Sequence, residues 1–174
     1  DVKVMSVTFL LLLDILEIVI DSVMDPTFHM TVLTLPTELS LLTLTNYMDV
    51  SHNQLTGTLP VNLGNLQRLE TLDLSHNHIA GSLPEEFENL TGIQELRLDH
   101  NALTGTLPPK WSSLTSLVSL DLSANDLSGA VPLEYSLWPN ISYFNISLNP
   151  NLNGSIPGDL SSTLNASSFD LHAR

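Results

Sequence analysis

Three histidines, His52, His76 and His100, stand 24 residues apart, each directly ahead of an asparagine. Acidic residues keep them company: Asp49 and Asp73 lie three residues before His52 and His76, and Asp99 immediately precedes His100. Imidazole changes charge near neutral pH, so such a set can form a proton-sensitive patch; imidazole with carboxylate also suits a borderline cation such as zinc. Duplication of a tolerated residue together with its repeat gives the same spacing without any function. Side chains one strand apart do not by themselves converge on a tetrahedral centre, so no metal and no other cofactor is expected. The stretch also holds serine, histidine and aspartate, the parts of a hydrolytic triad. It lacks the strained G-x-S-x-G turn and any identifiable oxyanion donor, and H-E-x-x-H, a phosphate loop and cysteine-based metal spacings are missing too. The chain is therefore expected not to be an enzyme.

The interval that carries the histidines extends to other residue types. Asn53, Asn77, Asn101, Asn125 and Asn149 share the 24-residue step, as do Gly57, Gly81, Gly105 and Gly129 and also Pro60, Pro84, Pro108 and Pro132. A unit of this length cannot bury its apolar face alone and must stack on its neighbours. Alternation in LDL, LRL, LDL and FNI turns Leu72 and Leu74 inward and Asp73 outward, as the two-residue period of a strand requires. Each repeat is expected to supply one short strand, and successive strands to pair in parallel about 4.8 Å apart. The asparagine follows where the chain leaves the sheet and turns, and its amide can donate to and accept from backbone groups that no ladder serves. Glycine gives the next turn its backbone freedom, and proline ends the strand. The column Leu63, Phe87, Trp111 and Tyr135 reads as packing on the outer side rather than a cofactor pocket.

In residues 66–84, LQRLETLDLSHNHIAGSLP, Leu69, Leu72, Leu74, Asn77 and Ile79 fill L-x-x-L-x-L-x-x-N-x-L, and Gly81 and Pro84 continue it as x-G-x-L-P. From about Leu35 to Leu160 the chain thus resembles the leucine-rich-repeat family in its plant-type, extracellular subclass. The resemblance implies an α/β repeat fold, a solenoid curved as a right-handed superhelix. Its parallel β-sheet would line the concave side, with short 3-10 or irregular segments on the convex side. It also implies a non-enzymatic module that recognises a protein or peptide, a piece of the ectodomain of a receptor-like protein or receptor kinase in signalling, extracellular or at the cell surface. Secreted members of the family usually carry cysteine pairs in their terminal caps, and this chain has no cysteine and opens on Asp1, as a fragment would.

A length of 174 residues with 43 % hydrophobic content allows one sizeable core. With 19 acidic and 5 basic residues the formal charge is −14, which speaks against nucleic acid and anionic membrane surfaces as partners. Residues 1–30 do not fit the repeat. The apolar run Val4–Ile20 is open to three readings: a cap helix over the first repeat, a targeting segment, or a membrane span. Asp14 and Glu17 weigh against the span, at about 2.5 to 3.5 kcal/mol each near a bilayer centre. Any attachment to a membrane would come through this run or through segments outside the chain. Residues 31–174 are expected to form the solenoid, about five clear repeats with degenerate ends. In the first complete unit Met48 and Val50 replace the strand leucines and Thr45 occupies a normally apolar site, so packing there should be looser. After Asn149 one residue is inserted, so that Gly154 and Pro157 lie 25 beyond Gly129 and Pro132, and Phe169 and Leu171 look like the start of a further strand.

Recognition in a solenoid falls to the outward positions of the concave sheet. One column reads Asp49, Asp73, Arg97, Asp121, Asn145; the next reads Tyr47, Thr71, Glu95, Ser119, Tyr143; a third reads Ser51, Ser75, Asp99, Ser123, Ser147. His52, His76 and His100 should stack along the rim. The candidate binding residues are Tyr47, Asp49, His52, Asp73, His76, Glu95, Arg97, Asp99, His100, Asp121 and Tyr143, and the plain alternative is a solvated face without a ligand. An acidic face of this kind calls for a basic or amide-rich protein or peptide partner, with association that slows as salt is raised. N-x-S/T sequons at Asn89, Asn140, Asn153 and Asn165 are candidate glycosylation sites, whereas Asn145 is a poor acceptor because it lies on the sheet. Two other functions fit the same repeats. One is a secreted inhibitor of a wall-degrading enzyme. The other is an ice-binding or structural surface built on hydroxyls such as Thr56, Thr58, Thr104 and Thr106, although Ala80 and Ala130 interrupt those columns.

Overall fold

The computed structural model describes residues 34–158 together with Leu160. The expectations for residues 1–30, and those for Asn165, Phe169 and Leu171, lie outside the described residues.

Each repeat begins with a three-residue strand whose middle side chain points inward. These strands are β1 (Tyr47–Asp49), β2 (Thr71–Asp73), β4 (Glu95–Arg97), β6 (Ser119–Asp121) and β8 (Tyr143–Asn145). They form one parallel sheet in the order β1-β2-β4-β6-β8. The register is the repeat itself: Met48 faces Leu72, Leu72 faces Leu96, Leu96 faces Leu120 and Leu120 faces Phe144. Leu72, Leu96, Leu120 and Phe144 are fully buried, as the alternation requires. Opposite the sheet, each proline caps a five-residue 3-10 helix: Thr37–Leu41, Val61–Asn65, Glu85–Asn89, Pro109–Ser113 and Leu133–Leu137. Successive 3-10 helices pack on one another. From them Leu63, Phe87, Trp111 and Tyr135 enter the core completely. The polar tips are satisfied within the stack: Trp111 Nε1 donates to the Pro84 carbonyl at 2.9 Å and the Tyr135 hydroxyl to the Pro108 carbonyl at 3.1 Å. Burial pushes the Tyr135 phenol pKa well above its ordinary value.

The asparagines form a hydrogen-bonded spine. Asn77 Nδ2 donates to the Leu74 and Ser75 carbonyls of its own coil and to the Val50 carbonyl of the coil before, at 3.1, 3.2 and 3.1 Å. Its Oδ1 accepts the Leu55 amide of the preceding coil at 3.0 Å. Asn101 and Asn125 repeat the pattern, with Oδ1 taking the Ile79 and Leu103 amides, and Asn149 takes that of Leu127. Among the described residues no buried side-chain nitrogen or oxygen lacks a partner.

One strand per repeat is an undercount. A second parallel sheet runs in the order β3 (Ala80–Ser82), β5 (Ala102–Thr106), β7 (Asp126–Ala130) and β9 (Asn151–Asn153). It passes through the glycine turns: Gly81, Gly105 and Gly129 sit in its strands with φ of +82°, +80° and +79°. Absence of an alternating pattern hides these strands, because their outward residues are small and polar. The inserted residue after Asn149 is absorbed here as a register step. Gly105 faces Leu127, 22 residues on, whereas Gly129 faces Leu152, 23 residues on. In the first unit Met48 is 7 % exposed where Leu72 is closed off, and Thr45 is half-buried.

Candidate functional site

The outward residues of the first sheet stand side by side at strand spacing, and the centre of that face is a shallow hollow of about 330 Å³. It brings together His52, Asp73, Ser75, His76, Arg97, Asp99, Ser119, Asp121 and Tyr143. Tyr47, Asp49, Glu95 and His100 lie around it rather than in it. Ser119 is a lining residue that sequence reasoning assigned no role; its place in the outward column beside Glu95 and Tyr143 was the available signal.

Aspartate does two jobs on this face. Oδ1 of Asp49, Asp73 and Asp121 each accept the backbone amide of the serine two residues on, at 3.0, 2.9 and 3.0 Å, and Asn145 does the same for Ser147 at 3.1 Å. One oxygen therefore closes the turn that ends β1, β2, β6 and β8, but not the one after Arg97 in β4. The serine column is consequently less outward than its neighbours: Ser75 and Ser123 are buried, with hydroxyls donating to Asp73 and Asp121 at 2.6 Å each, and Ser51 and Ser147 are half-buried. The recurrent Asp-Leu-Ser at 73–75 and 121–123 was the sequence trace of this turn. The Ser51 amide holds the Asp49 carboxyl below its usual pKa.

The other carboxylate oxygens face the groove. Tyr143 donates to Asp121 Oδ2 at 2.8 Å, and Asn145 Nδ2 reaches both, at 3.2 and 3.1 Å. Burial first, and the Asp121 carboxylate second, raise the Tyr143 pKa. At the other end Tyr47 donates to Asp49 Oδ2 at 3.1 Å, and that bond raises the Tyr47 pKa. Between the two tyrosines Arg97 lies with Nε 2.7 Å from Glu95 Oε1 and Nη1 3.9 Å from Asp73 Oδ2. This one cation does not offset the acidic groups around it.

The histidines form the predicted rim stack, with ring centroids 4.2 Å apart from His52 to His76 and from His76 to His100. Their backbones hold a left-handed conformation, φ +54°, +53° and +53°, shared by Ala124 and Leu148 at the same repeat position. The turn before the spine asparagine imposes this on whatever residue occupies it. Asp99 replaces serine in the turn and points instead at the rings: its Oδ2 lies 3.0 Å from His100 Nδ1 and 3.8 Å from His76 Nε2. Of the glycosylation candidates, Asn89, Asn140 and Asn153 are exposed and off the concave sheet, while Asn145 is tied up on it. On the second sheet the hydroxyl columns are broken: Thr58 faces Ala80, Thr104 faces Asp126 and Ala130 faces Asn153.

The family described as leucine rich repeat matches residues 43–103. Among solved structures, the chain is similar to the ectodomain of the Arabidopsis thaliana receptor kinase SOBIR1, with 31 % identity and a TM-score of 0.66 over 71 % of this chain and 67 % of that one. It is similar to the ectodomain of the Arabidopsis receptor kinase HAESA in complex with an N-terminally extended IDA peptide hormone ligand, with 32 % identity and a TM-score of 0.71. There the match covers 75 % of this chain and only 22 % of that one. A plant ice-binding protein is 28 % identical with a TM-score of 0.70, over 74 % of this chain and 42 % of that one. A search of curated protein sequences finds no match. Among the described residues no helix is long and apolar enough to cross a membrane. The repeat register, the asparagine spine and the likeness to a plant receptor ectodomain of which it spans 67 % place this chain in the leucine-rich-repeat family, in its plant type.

Proposed function

We propose that this chain is a recognition module of a plant receptor-like protein or receptor kinase, displayed outside the cell, that binds an extended peptide or protein edge across its first sheet. The observation that carries the reading is the hollow between Asp73, Arg97, Asp121 and Tyr143, toward which each aspartate directs Oδ2 after Oδ1 has closed its own turn, with Arg97 at 3.9 Å from Asp73 and the Tyr143 hydroxyl at 2.8 Å from Asp121. Such a face suits a basic or amide-rich segment: cations pair with Asp73 and Asp121, and amides bond to the same oxygens. The peptide-bound state of the similar HAESA ectodomain supports this choice of partner class. The Ser75 hydroxyl, which donates to Asp73 in the hollow, is buried and held on the oxygen that closes the turn, so a binding role fits the hollow better than catalysis. The mixed columns of the second sheet give an ice surface no regular hydroxyl array, which favours recognition over that rival.

Affinity selection from a display library of random peptides tests the reading. Wild-type protein should enrich Lys- and Arg-containing sequences at low salt and lose them at high salt. The Asp73→Asn/Asp121→Asn variant should enrich them at least ten times less. Asparagine keeps the turn bond, as Asn145 does, while it removes the charge and puts an NH2 donor where the groove-facing oxygen was. Enrichment of acidic peptides, or equal enrichment by both proteins, would overturn the proposal.

A further inference from the structure

We infer that His76, Asp99 and His100 form a transition-metal site on the rim of the concave sheet, of the class that takes Zn²⁺ with two imidazoles, one carboxylate and an open position. Their donor atoms all lie within 4.8 Å of one another. Two imidazole nitrogens from successive coils, His76 Nε2 and His100 Nδ1, approach one oxygen, Asp99 Oδ2, at 3.8 and 3.0 Å. Zinc bonds of about 2.0 to 2.2 Å in tetrahedral geometry set neighbouring ligand atoms roughly 3.3 to 3.5 Å apart. The two distances to Asp99 bracket that value. The wider gap between the nitrogens closes by rotation of the rings, whose side chains are 41 % and 49 % exposed, at the expense of their 4.2 Å stack.

Simple copying of the repeat does not produce this arrangement. At the position of Asp99 the repeat carries serine, in Ser51, Ser75, Ser123 and Ser147, and two residues earlier it carries the aspartate or asparagine that holds that serine. In this coil alone both are replaced, by Asp99 and Arg97, so the Asp99 carboxylate is released from the turn and turned toward the imidazoles. Its side chain is only 13 % exposed, so the carboxylate is largely held out of bulk water. The backbone beneath is fixed by the bonds from His76 N to Asp99 O at 3.0 Å and from His100 N to Ser123 O at 2.9 Å. Two imidazoles with one carboxylate favour Zn²⁺, Cu²⁺ or Ni²⁺ over Ca²⁺ or Mg²⁺, which seek oxygen ligands. The expectation that ladder positions do not converge fails here because the carboxylate reaches across the coil step and gathers both rings.

The argument for this site does not rest on the peptide-binding reading, and its metal titration is read separately from peptide selection even though His76 and Asp99 also line the hollow. The test is calorimetric titration of the full chain with ZnCl₂, repeated with MgCl₂. One Zn²⁺ should bind per chain, Mg²⁺ should not, and Asp99→Asn and His100→Ala should each weaken zinc at least tenfold. His78→Ala, exposed and outside the cluster, should leave it unchanged. Circular dichroism of the metal-free variants checks that they fold, and Co²⁺ should give the intense visible absorption of tetrahedral coordination in the wild type and lose it in His76→Gln. Absence of one-to-one uptake, equal affinity in Asp99→Asn, or an octahedral cobalt spectrum would overturn the assignment.

Discussion

Asn125 shows what one side chain carries in this architecture. It is 4 % exposed and serves four backbone groups: the Leu98, Leu122 and Ser123 carbonyls and the Leu103 amide. A buried group left unpaired costs about 1 to 3 kcal/mol. Asn125→Ala should therefore lower stability by about 3 kcal/mol or more in urea unfolding, while Asn140→Ala, exposed and bonded only to the Thr115 carbonyl, should change it by less than about 1 kcal/mol. Ala124 carries strain of another kind, at φ +52°. Left-handed backbone costs an L-residue roughly 1 to 2 kcal/mol, and glycine costs about 0.5 to 1 kcal/mol in extra unfolded freedom. Ala124→Gly should thus be neutral or stabilising by up to about 1 kcal/mol in the same assay. Asp49 gives a pH signature. Its folded pKa is depressed by the Ser51 amide, so its stabilising contribution is present above the unfolded carboxylate value and lost as pH falls through the folded one. Asp49→Asn should flatten that part of the acid limb in pH-dependent unfolding. The spine was legible because an asparagine kept at every 24-residue step marks a place where one side chain must both donate and accept. The left-handed histidines were not, because the turn fixes backbone angles regardless of residue type, as Leu148 shows with φ +56°.

At the level of elements, the first sheet could be read off LDL and LRL because its leucines are buried and its aspartates are not. The second sheet could not, since Ala80, Gly81 and Ser82 carry no alternation, and backbone pairing alone makes them a strand. The 3-10 helices follow from the proline step, and their packing depends on close approach. A Cβ on Gly64 would overlap the Glu86 carbonyl oxygen of the next helix. Gly64→Ala should cost about 1 to 3 kcal/mol through that overlap, read as a drop in thermal midpoint. The dual use of Asp73 and Asp121 is also a property of elements: the strand ends where one oxygen takes the serine amide, and the same bond sets the direction of the other. Sequence alone marked these residues as acidic and outward, and it could not divide their oxygens between fold and groove.

Across the whole molecule, stacking does two things at once. It closes the core through Leu72, Leu96, Leu120 and Phe144, and it lines up the side chains between them into a continuous acidic face with a tyrosine near each end. The stacked scaffold was evident from the period and the acidic face from its charges; which residues share the hollow depended on side-chain direction, and so Ser119 entered and Glu95 stayed at its edge. Steric blocking of each face separates recognition on the first sheet from any role of the second. Ser119→Trp fills the hollow from a half-buried position on β6, and Thr104→Trp places the same bulk at an exposed position on β5. Peptide selection on the two variants is the decisive measurement: Ser119→Trp should abolish enrichment of basic peptides and Thr104→Trp should retain it. Enrichment that survives Ser119→Trp and disappears with Thr104→Trp would contradict recognition by the first sheet.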